Sequence, residues 1–380
     1  MKKKVLLLAP MGSVHRRFNG VNIQALKQLG CEIHLLANFG KGDGPEEQNP
    51  QYVEKCKNEE IFIHSLPFQR RSLLSNLSLS QKVASLIDQE DFAIVHAHTE
   101  TGGLILRLAG RHCGCKYIFT PHGMSFYKGG PLYSQLMYQP IEYWISRGME
   151  ANIAINQEEF QVLQKWNVRT AHLVHGIGLD LSRFGNANGE QENLRKSLGI
   201  PQDAIVVLSV GELDENKNHR IILYALAALQ NPSLHYVVCG VGPQRDYLQA
   251  EAQKCGIGNR FHLLGYRRDI PELLKMSDIF VFPSLHEGLP VSLMEAMASH
   301  LPVIASNIRG NRDLLQKEQK EFLCAPENYQ DFAEKIQLFF KNEILRRESG
   351  KINYKTIQTF SKENVEEEFL DLYSRLLVRK

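Results

Sequence analysis

The stretch at residues 278–298 constrains the fold most strongly, because a strand, a sharp loop and a helix follow one another there. Residues 278–282 form a short apolar run of the kind found in buried strands of parallel sheets. Pro283 has no amide hydrogen to give to a sheet, so the strand must end there. Pro290 suits the first position of a helix, where a missing amide hydrogen costs nothing, and we expect the helix to begin there.

Two glutamates bracket this turn. Glu287 lies in the loop, and Glu295 lies about a turn and a half into the predicted helix, on a polar stripe beside the apolar side. Amides at a helix N-terminus can hold a phosphate, and carboxylates accept hydrogen bonds from vicinal hydroxyls of ribose or hexose. Either glutamate alone could equally be an exposed charge, but their joint spacing favours a site for a sugar nucleotide.

The pattern Glu-Gly-Leu-Pro-x4-Glu-Ala, which starts at Glu287, resembles the donor-site signature of retaining glycosyltransferases of family 4. The resemblance implies an α/β protein with the GT-B fold: two facing, Rossmann-like, doubly wound domains with an interdomain cleft. It implies that Glu287 and the neighbouring amides hold the donor sugar and diphosphate, while Glu295 holds the ribose diol. The donor-binding residues implied for this stretch are Glu287, Gly288, Leu289, Pro290, Val291 and Glu295.

Length and composition bound the class of protein. A chain of 380 residues is long enough for two domains, and 43% hydrophobic with 23% charged residues is typical of a globular protein. The net charge of +2 argues against nucleic acid as a partner. Seven irregularly spaced cysteines indicate reduced thiols, and the short apolar run after Lys4 predicts a first strand rather than a signal peptide. We therefore expect a cytoplasmic protein.

The amino half begins like a doubly wound sheet. Residues 4–9 predict a strand, residues 10–17 a loop, and residues up to Gly30 a helix that is followed by a strand at 32–36. Gly12 lies just past the first strand, where ligands of such sheets collect. Plain turn geometry explains a lone glycine equally well; the resemblance implies a place beside the donor diphosphate, although the family's commoner Gly-Gly pair is absent.

Three histidines lie at or near predicted strand ends. His96 and His98 alternate with apolar residues in the strand at 93–98, and we expect both to be packed in the core rather than to bind ligands. His122 differs, because Pro121 and Gly123 bracket it just past the strand at 116–120. The resemblance implies that His122 meets the donor sugar near the reacting carbon.

Residues 98–156, together with 176–180, resemble the capsule and exopolysaccharide branch of the family, which implies a lipid-linked acceptor. Within them, residues 126–144 carry apolar and aromatic side chains at helical spacing, and we expect this stripe to be core. Arg70 and Arg71 precede interleaved apolar residues. They could form a solvated loop or a patch that binds a membrane surface.

The polar, Gly-rich residues 185–191 predict a connection between domains. We expect an acceptor-binding domain at 1–185 and a donor-binding domain at 186–355. The last segment, 356–380, contains an amphipathic helix that we expect to cross back to the first domain.

The second domain restarts the alternation with a strand at 204–210, which leads through Gly211, a candidate donor-binding residue, to Lys217 and a helix. A lysine at this turn suits a leaving diphosphate as a mobile point charge, although an exposed helix-start lysine is an alternative. The family usually has an arginine where this chain has Glu212, which puts a two-cation site in doubt. The resemblance also implies that the turn around Arg268 lies over the nucleobase.

The resemblance implies a retaining glycosyltransferase, and we expect it to be metal-independent. It would move a hexose or N-acetylhexosamine from a nucleotide-sugar, most simply UDP-linked, to a hydroxyl of a lipid-linked glycan in capsule or exopolysaccharide synthesis. His122, Lys217 and Glu287 are the candidate catalytic residues. No Asp-x-Asp pair occurs, so we expect no metal and no cofactor beyond the co-substrate.

Three alternatives remain open from the sequence. A nucleotide-sugar epimerase of related fold would convert its substrate without an acceptor. A non-catalytic, transferase-like partner subunit gains support from Glu212. A nicotinamide dehydrogenase is more distant, because the Gly240-Val-Gly242 turn lacks the third glycine of the dinucleotide fingerprint.

Overall fold

The computed structural model describes residues 2–40, 48–68, 73–110, 112, 114–185 and 191–378. The chain divides into two compact units. Unit 1 comprises Met1–Gly178 and Lys362–Lys380, and unit 2 comprises Leu179–Ser361. The division thus falls at 178 and 361, not at the expected 185 and 355. Residues 186–190, expected to connect the domains, lie within the span of unit 2 but outside the described residues.

The described residues of unit 1 form a seven-stranded parallel sheet with the order β3-β2-β1-β4-β5-β6-β7. Alternate residues of β1 enter two different apolar clusters: Val5 and Leu7 enter one, Leu6 and Leu8 the other. Both faces of the sheet are therefore covered, which explains why the strand reads as a continuous apolar run. The strands are β1 (Lys4–Met11), β2 (Glu32–Asn38), β3 (Phe62–Ser65), β4 (Ile94–His98), β5 (Lys116–Thr120), β6 (Ala151–Ala154) and β7 (Ala171–Leu173).

The described residues of unit 2 form a six-stranded parallel sheet with the order β10-β9-β8-β11-β12-β13. Here Val206 and Leu208 enter one apolar cluster while Val207 enters the other. The strands are β8 (Ile205–Val210), β9 (Leu234–Cys239), β10 (Phe261–Leu263), β11 (Ile279–Phe282), β12 (Val303–Ser306) and β13 (Leu323–Cys324).

The helices connect the strands and cover the sheets. In chain order they are α1 (Gly12–Phe18), α2 (Gly20–Gln28), α3 (Gln48–Asn58), α4 (Leu73–Glu90), α5 (Thr99–Ala109), α6 (Leu132–Arg147), α7 (Gln157–Lys165), α8 (Ser182–Gly185), α9 (Gln191–Ser197), α10 (Arg220–Leu229), α11 (Arg245–Lys254), α12 (Ile270–Lys275), α13 (Val291–Ala298), α14 (Asn311–Leu314), α15 (Tyr329–Lys341), α16 (Glu343–Ile357) and α17 (Lys362–Val378).

The terminal helix α17 is part of unit 1, where it packs against α2. Phe369, Leu372, Tyr373 and Leu376, the side chains that the periodicity predicts to face inward, are buried there. Gly178 lets the backbone at this position lie close to α2 and to the start of α17. A Cβ atom here would lie 2.6 Å from Val21 and 3.0 Å from the Cα atom of Lys362.

Each sheet has one point at which the strand order reverses. In unit 1 it lies between β1 and β4, and in unit 2 between β8 and β11. Ligands of such sheets bind outside the carboxyl ends of the strands at this point. The loops after β1, β4, β8 and β11 are therefore the places where function is expected.

The prediction of a loop at residues 10–17 is wrong. β1 continues to Met11, and α1 starts at Gly12. The His15 ring, which is buried, lies 3.2 Å from the carbonyl oxygen of Leu36 and 2.9 Å from Nδ2 of Asn19. These contacts hold α1 against β2, and the apolar spacing of so short a helix does not reveal them.

The prediction that the aromatic stripe is core holds for Phe126, which is buried, but is wrong for α6. Residues of α6 are among the most exposed apolar side chains of unit 1, with Leu132 70% exposed, Leu136 68% and Tyr133 64%. The opposite side of the helix, with Ile145 and Glu142, is the buried one. None of the described helices combines the length and the apolar composition that crossing a bilayer requires. Arg70 and Arg71, the predicted membrane patch, lie outside the described residues.

Candidate functional site

The centre of the unit 2 site is an ion pair between Lys217 and Glu287. Nζ of Lys217 lies 2.5 Å from Oε1 of Glu287, and the two side chains are 20% and 15% exposed. Lys217 follows β8 and Glu287 follows β11, the two strands on either side of the switch point. The parallel pairing of these strands therefore unites residues that are 70 positions apart.

The Lys217 side chain is guided to this position by its surroundings. Its aliphatic stem crosses Gly211, where a Cβ atom would lie 3.2 Å from Cδ of the lysine. Its Nζ lies 5.5 Å from the centroid of the Phe282 ring. The Lys217 backbone N–H donates to Oδ1 of Asp214 at 2.8 Å, so the loop is fixed as well.

The loops after β8 and β11 are bound to each other. The Leu285 amide donates to the Asn216 carbonyl oxygen at 2.8 Å, and the Asn216 side chain donates to the His286 carbonyl oxygen at 3.0 Å. Asn218, buried and with φ of 51°, donates from Nδ2 to the Pro326 carbonyl oxygen at 2.9 Å. The two charged side chains are thus held on a preorganised frame.

Sequence reasoning missed Arg309, which is 4% exposed and stabilises the Glu287 loop through hydrogen bonds. Its Nε donates to the Glu287 carbonyl oxygen at 3.0 Å, and its Nη2 lies 2.8 Å from Nε2 of His286. Burial, and the nearby Arg309 and Lys217 cations, lower the pKa of His286 to about 4, so its ring is neutral and accepts from Arg309. An Arg-Gly pair just after a predicted strand was the signal that could have identified it.

Gly310 lets the loop after β12 touch the Glu287 loop. Its φ of 72° is in the left-handed region, and a Cβ atom there would lie 2.3 Å from the Gly288 carbonyl oxygen. Any other residue at position 310 would push the Glu287 loop away. The unit 2 site therefore depends on contacts from three strand ends.

The helix α13 begins one residue later than predicted, at Val291, with Pro290 as its N-cap. Proline offers no capping side chain, and within the described residues no acceptor bonds the amides of Leu289, Val291 and Ser292. Free amides at a helix N-terminus carry partial positive charge and suit a phosphate. They lie immediately after Glu287, on the same loop.

Glu295 lies inside α13, and its carboxylate receives no hydrogen bond from the described part of the chain. Burial raises its pKa from 4.5 to about 7, and the positive charge of Arg183 only partly opposes this. A carboxylate that lacks partners and is largely removed from water is costly, unless a ligand supplies donors. Vicinal hydroxyls would supply two.

The glycines at the ends of β8 and β9 bring backbones close together. A Cβ atom on Gly240 would lie 1.8 Å from the Gly211 carbonyl oxygen, and one on Gly242 would lie 2.4 Å from that of Leu213. Gly240 and Gly242 thus allow the two loops to pack against each other. This packing accounts for the Gly-x-Gly pattern, so the pattern does not require a bound dinucleotide. Glu212 and Arg268 are both exposed.

In unit 1, His122 lies just past β5 with φ of 59°, a strained conformation for a residue other than glycine. Its Nε2 lies 2.9 Å from Nδ1 of His98, and its ring stacks on Phe18 with centroids 5.2 Å apart. Burial lowers the pKa of His122 to about 4, so the ring is neutral at pH 7. Gly12 belongs to the same unit and is the buried first residue of α1.

His96 and His98 are packed histidines, as their alternation with apolar residues predicts. His96 lies 2.7 Å from the Tyr373 hydroxyl through Nδ1 and 2.8 Å from Oγ1 of Thr120 through Nε2. Asn22 donates to the same hydroxyl at 3.0 Å, so strands and the helices α2 and α17 are joined by one buried network.

The unit 2 edge thus unites most of the candidate residues: Gly211, Lys217, Glu287, Gly288, Leu289, Pro290, Val291 and Glu295. His122 and Gly12 lie at the carboxyl edge of the unit 1 sheet. The arrangement in unit 2 offers a cation and free amides for a diphosphate, and two carboxylates for hydroxyl groups.

Comparison with known proteins gives matches along most of the chain. Residues 22–181 match the family model Glycosyltransferase Family 4, and residues 190–356 match Glycosyl transferases group 1. A Bacillus subtilis protein that is named as glycosyltransferase EpsD is 33% identical over 98% of this chain and 97% of its own length. These matches give no support to an epimerase or a dehydrogenase.

Two further similarities extend this result. An Escherichia coli protein named UDP-Gal:alpha-D-GlcNAc-diphosphoundecaprenol alpha-1,3-galactosyltransferase is 30% identical over 81% of this chain and 84% of its own length. Among solved structures, Anabaena Alr3699/HepE in complex with UDP superimposes with a TM-score of 0.79 at 19% identity, covering 99% of this chain and all of that one. The latter similarity shows a shared GT-B fold.

Proposed function

Because the chain belongs to glycosyltransferase family 4, we propose that it transfers a hexose or N-acetylhexosamine from a UDP-sugar to a hydroxyl of a lipid-linked glycan in capsule or exopolysaccharide synthesis. The observation that carries the donor part is the Lys217–Glu287 pair beside the free amides of α13, at the switch point of unit 2. The name of the Escherichia coli relative, which specifies a UDP-linked donor and a diphosphoundecaprenol acceptor, supports both substrates.

The reaction requires the glycosyl–phosphate bond to break while negative charge grows on the diphosphate. Lys217 and the amides of Leu289 and Val291 stabilise that charge, and they need no reorganisation because the loops are already bonded. When the diphosphate binds, Lys217 interacts with a second anion in addition to the Glu287 carboxylate. Glu287 keeps an acceptor oxygen for the sugar hydroxyls and orients the sugar.

His122 completes the proposed catalytic set as a neutral group. With a pKa of about 4 its ring is neutral near pH 7, and its proposed role is to orient the donor sugar by hydrogen bonding. Retention of anomeric configuration follows from attack of the acceptor hydroxyl on the face that the diphosphate leaves, with the departing phosphate taking the proton. We propose no metal in this step, because Lys217 and the amides supply the charge compensation.

The exposed face of α6 supports a site of action at the membrane surface. Its exposed side chains are leucine, methionine and isoleucine mixed with Tyr133, Tyr143 and Trp144, the mixture that is found at membrane interfaces. The acid of this helix, Glu142, is 1% exposed, whereas Lys128 and Arg147 near its ends are exposed. An apolar face that is flanked by exposed positive charges is suited to binding an anionic lipid bilayer.

Trp144 allows this membrane proposal to be tested, since the chain has only one other tryptophan, Trp166. In a Trp166→Phe background, vesicles of anionic lipid should shift the Trp144 fluorescence to the blue, and brominated acyl chains should quench it. Leu136→Asp should weaken vesicle binding at least tenfold. The matched control is Ile344→Asp, which replaces a 71% exposed apolar residue of unit 2 and should change nothing. A concentration-dependent dimer without vesicle binding would refute the proposal.

The transferase proposal is tested by a panel of UDP- and GDP-sugars, scored first by released nucleotide and then by the mass of a polyprenyl-diphosphate-linked acceptor. We expect turnover with a UDP-sugar and a gain of one sugar mass. Glu287→Ala should abolish transfer, whereas Glu215→Ala, an exposed acid on the Lys217 loop, should keep it. Full activity of Glu287→Ala would refute the role of Glu287, and no turnover with any sugar nucleotide would favour the non-catalytic partner subunit.

A further inference from the structure

The ring of His98 has a single hydrogen-bonding partner in the described structure, and that partner is the ring of His122. The two residues lie at the carboxyl ends of adjacent strands, because His98, the last residue of β4, is paired in register with Thr120, two positions before His122. Nδ1 of His98 lies 2.9 Å from Nε2 of His122. His98 is 1% exposed, and its other nitrogen, Nε2, is buried without a partner among the described residues.

A proton count limits the ways in which this pair can exist. Burial lowers the pKa of both rings, so both are neutral and each carries one N–H. One proton lies between the rings. Either His98 donates from Nδ1 and keeps a bare Nε2, or His122 donates from Nε2 and leaves a buried Nε2–H on His98 with no acceptor.

The first arrangement is favoured. A buried N–H with no acceptor is rarer and more costly than an acceptor that is left unused. His96 cannot rescue the second arrangement, although its ring centroid is only 4.1 Å from that of His98. Both of its nitrogens are already bonded, one by Tyr373 and one by Thr120.

The outer nitrogen of His122 then carries the proton. No hydrogen bond to Nδ1 of His122 is present in the described residues, and this nitrogen is not among the fully buried ones that lack a partner, so it keeps some contact with solvent. Phe18 stacks on the ring and restricts its rotation. The imidazole is thus held with one protonated nitrogen pointing outward.

We propose that His98 is a positioning residue: by donating from Nδ1 to His122, it fixes the tautomer in which His122 presents Nδ1–H to the donor sugar. His122 therefore acts as a hydrogen-bond donor and not as a base. The tautomer follows from unit 1 alone. Only the identity of the recipient, a hydroxyl of the sugar, rests on the proposed function.

The tautomer can be measured directly on the unliganded full chain. In protein labelled with 15N-histidine, two-bond correlations from the ring carbon protons distinguish a protonated nitrogen from a bare one. The His122 signals are assigned by their loss in His122→Ala. We expect protonated Nδ1 and bare Nε2 for His122. The opposite pattern would overturn the inference without touching the transferase proposal, because no donor is present.

A matched pair of variants tests the consequence for the reaction. The amide of His98→Asn occupies the place of Nδ1 and can still donate, whereas the carboxylate of His98→Asp is nearly identical in size but can only accept. We expect kcat within about threefold of wild type for His98→Asn and a roughly tenfold to hundredfold loss for His98→Asp, the range that one donor hydrogen bond is worth. The Kd for free UDP, which lacks the sugar, should stay unchanged in both.

Two controls separate positioning from a general structural role. Thermal unfolding shows whether either variant has lost its fold, in which case UDP binding would fall too. In a His122→Ala background, His98→Asp should cause no further loss of kcat, because the residue acts only through His122. Equal kcat values for the Asn and Asp variants, or an additive loss in the double variant, would overturn the proposal.

Discussion

Replacing Glu295 with glutamine should have opposite effects on stability and on donor binding. The pKa of Glu295 is raised from 4.5 to about 7, so the folded protein binds the proton more tightly than the unfolded chain does. This carboxyl therefore destabilises the fold increasingly as the pH rises from about 4.5 through 7. The full shift corresponds to about 3 kcal/mol as an upper limit, which partial contact with solvent reduces.

Donor binding should follow the opposite course, because only the ionised carboxyl accepts two hydrogen bonds from a ribose diol. With a pKa of about 7, the ionised fraction falls roughly tenfold between pH 8 and pH 6. The affinity for a UDP-sugar, which has no phosphate that titrates in this range, should fall by about the same factor. Glu295→Gln should bind weakly and without this pH dependence.

Two measurements check these effects. Thermal unfolding of the unliganded protein should show Glu295→Gln more stable than wild type at pH 8 and equal to it near pH 4.5, with the exposed Glu348→Gln as control. Calorimetric titration with a UDP-sugar at pH 6, 7 and 8 should give the tenfold change for wild type only. A wild-type affinity that is flat across this range, or a loss of stability in Glu295→Gln at pH 8, would refute the reasoning.

Other predictions concern the remaining contacts. Lys217→Ala should lower kcat by roughly a hundredfold or more, because one preorganised charge on the diphosphate is lost, and Lys217→Arg should restore part of it. Arg309→Met should lower the unfolding midpoint and raise the Kd for UDP, because the Glu287 loop loses its buried donor; an unchanged Kd would contradict this. Tyr373→Phe leaves His96 and Asn22 without a shared partner and should cost roughly 1–3 kcal/mol in unfolding free energy, with UDP binding intact. Transfer should persist in EDTA; loss that manganese restores would disprove metal independence.

The unit 2 site could be predicted from the sequence because its residues lie at strand ends. The apolar runs before Gly211 and Pro283 are identifiable, and parallel pairing brings their carboxyl ends to one edge. The support of the site could not be predicted. Arg309 acts through main-chain carbonyl oxygens and a neutral histidine, contacts that leave no periodic pattern. The bond between His98 and His122 depends on the register of two strands, which spacing alone does not fix.

Parts of the fold were beyond sequence reasoning for a related reason. Periodicity identifies α6 as a helix with an apolar stripe, but it does not tell whether other elements cover that stripe. The buried side of α6 instead contains Glu142, whose carboxylate accepts from the Ser125 amide at 2.9 Å. Similarly, α1 is held by contacts of the buried His15, so a segment rich in basic residues forms a helix where a loop was predicted.

The most direct test of the central claim is a crystal structure of the protein with UDP bound. We predict that the diphosphate lies on the amides of Leu289 and Val291 within reach of Nζ of Lys217, and that the ribose hydroxyls donate to the Glu295 carboxylate. A nucleotide bound away from α13, or a Glu295 carboxylate that does not contact the ribose, would contradict the account.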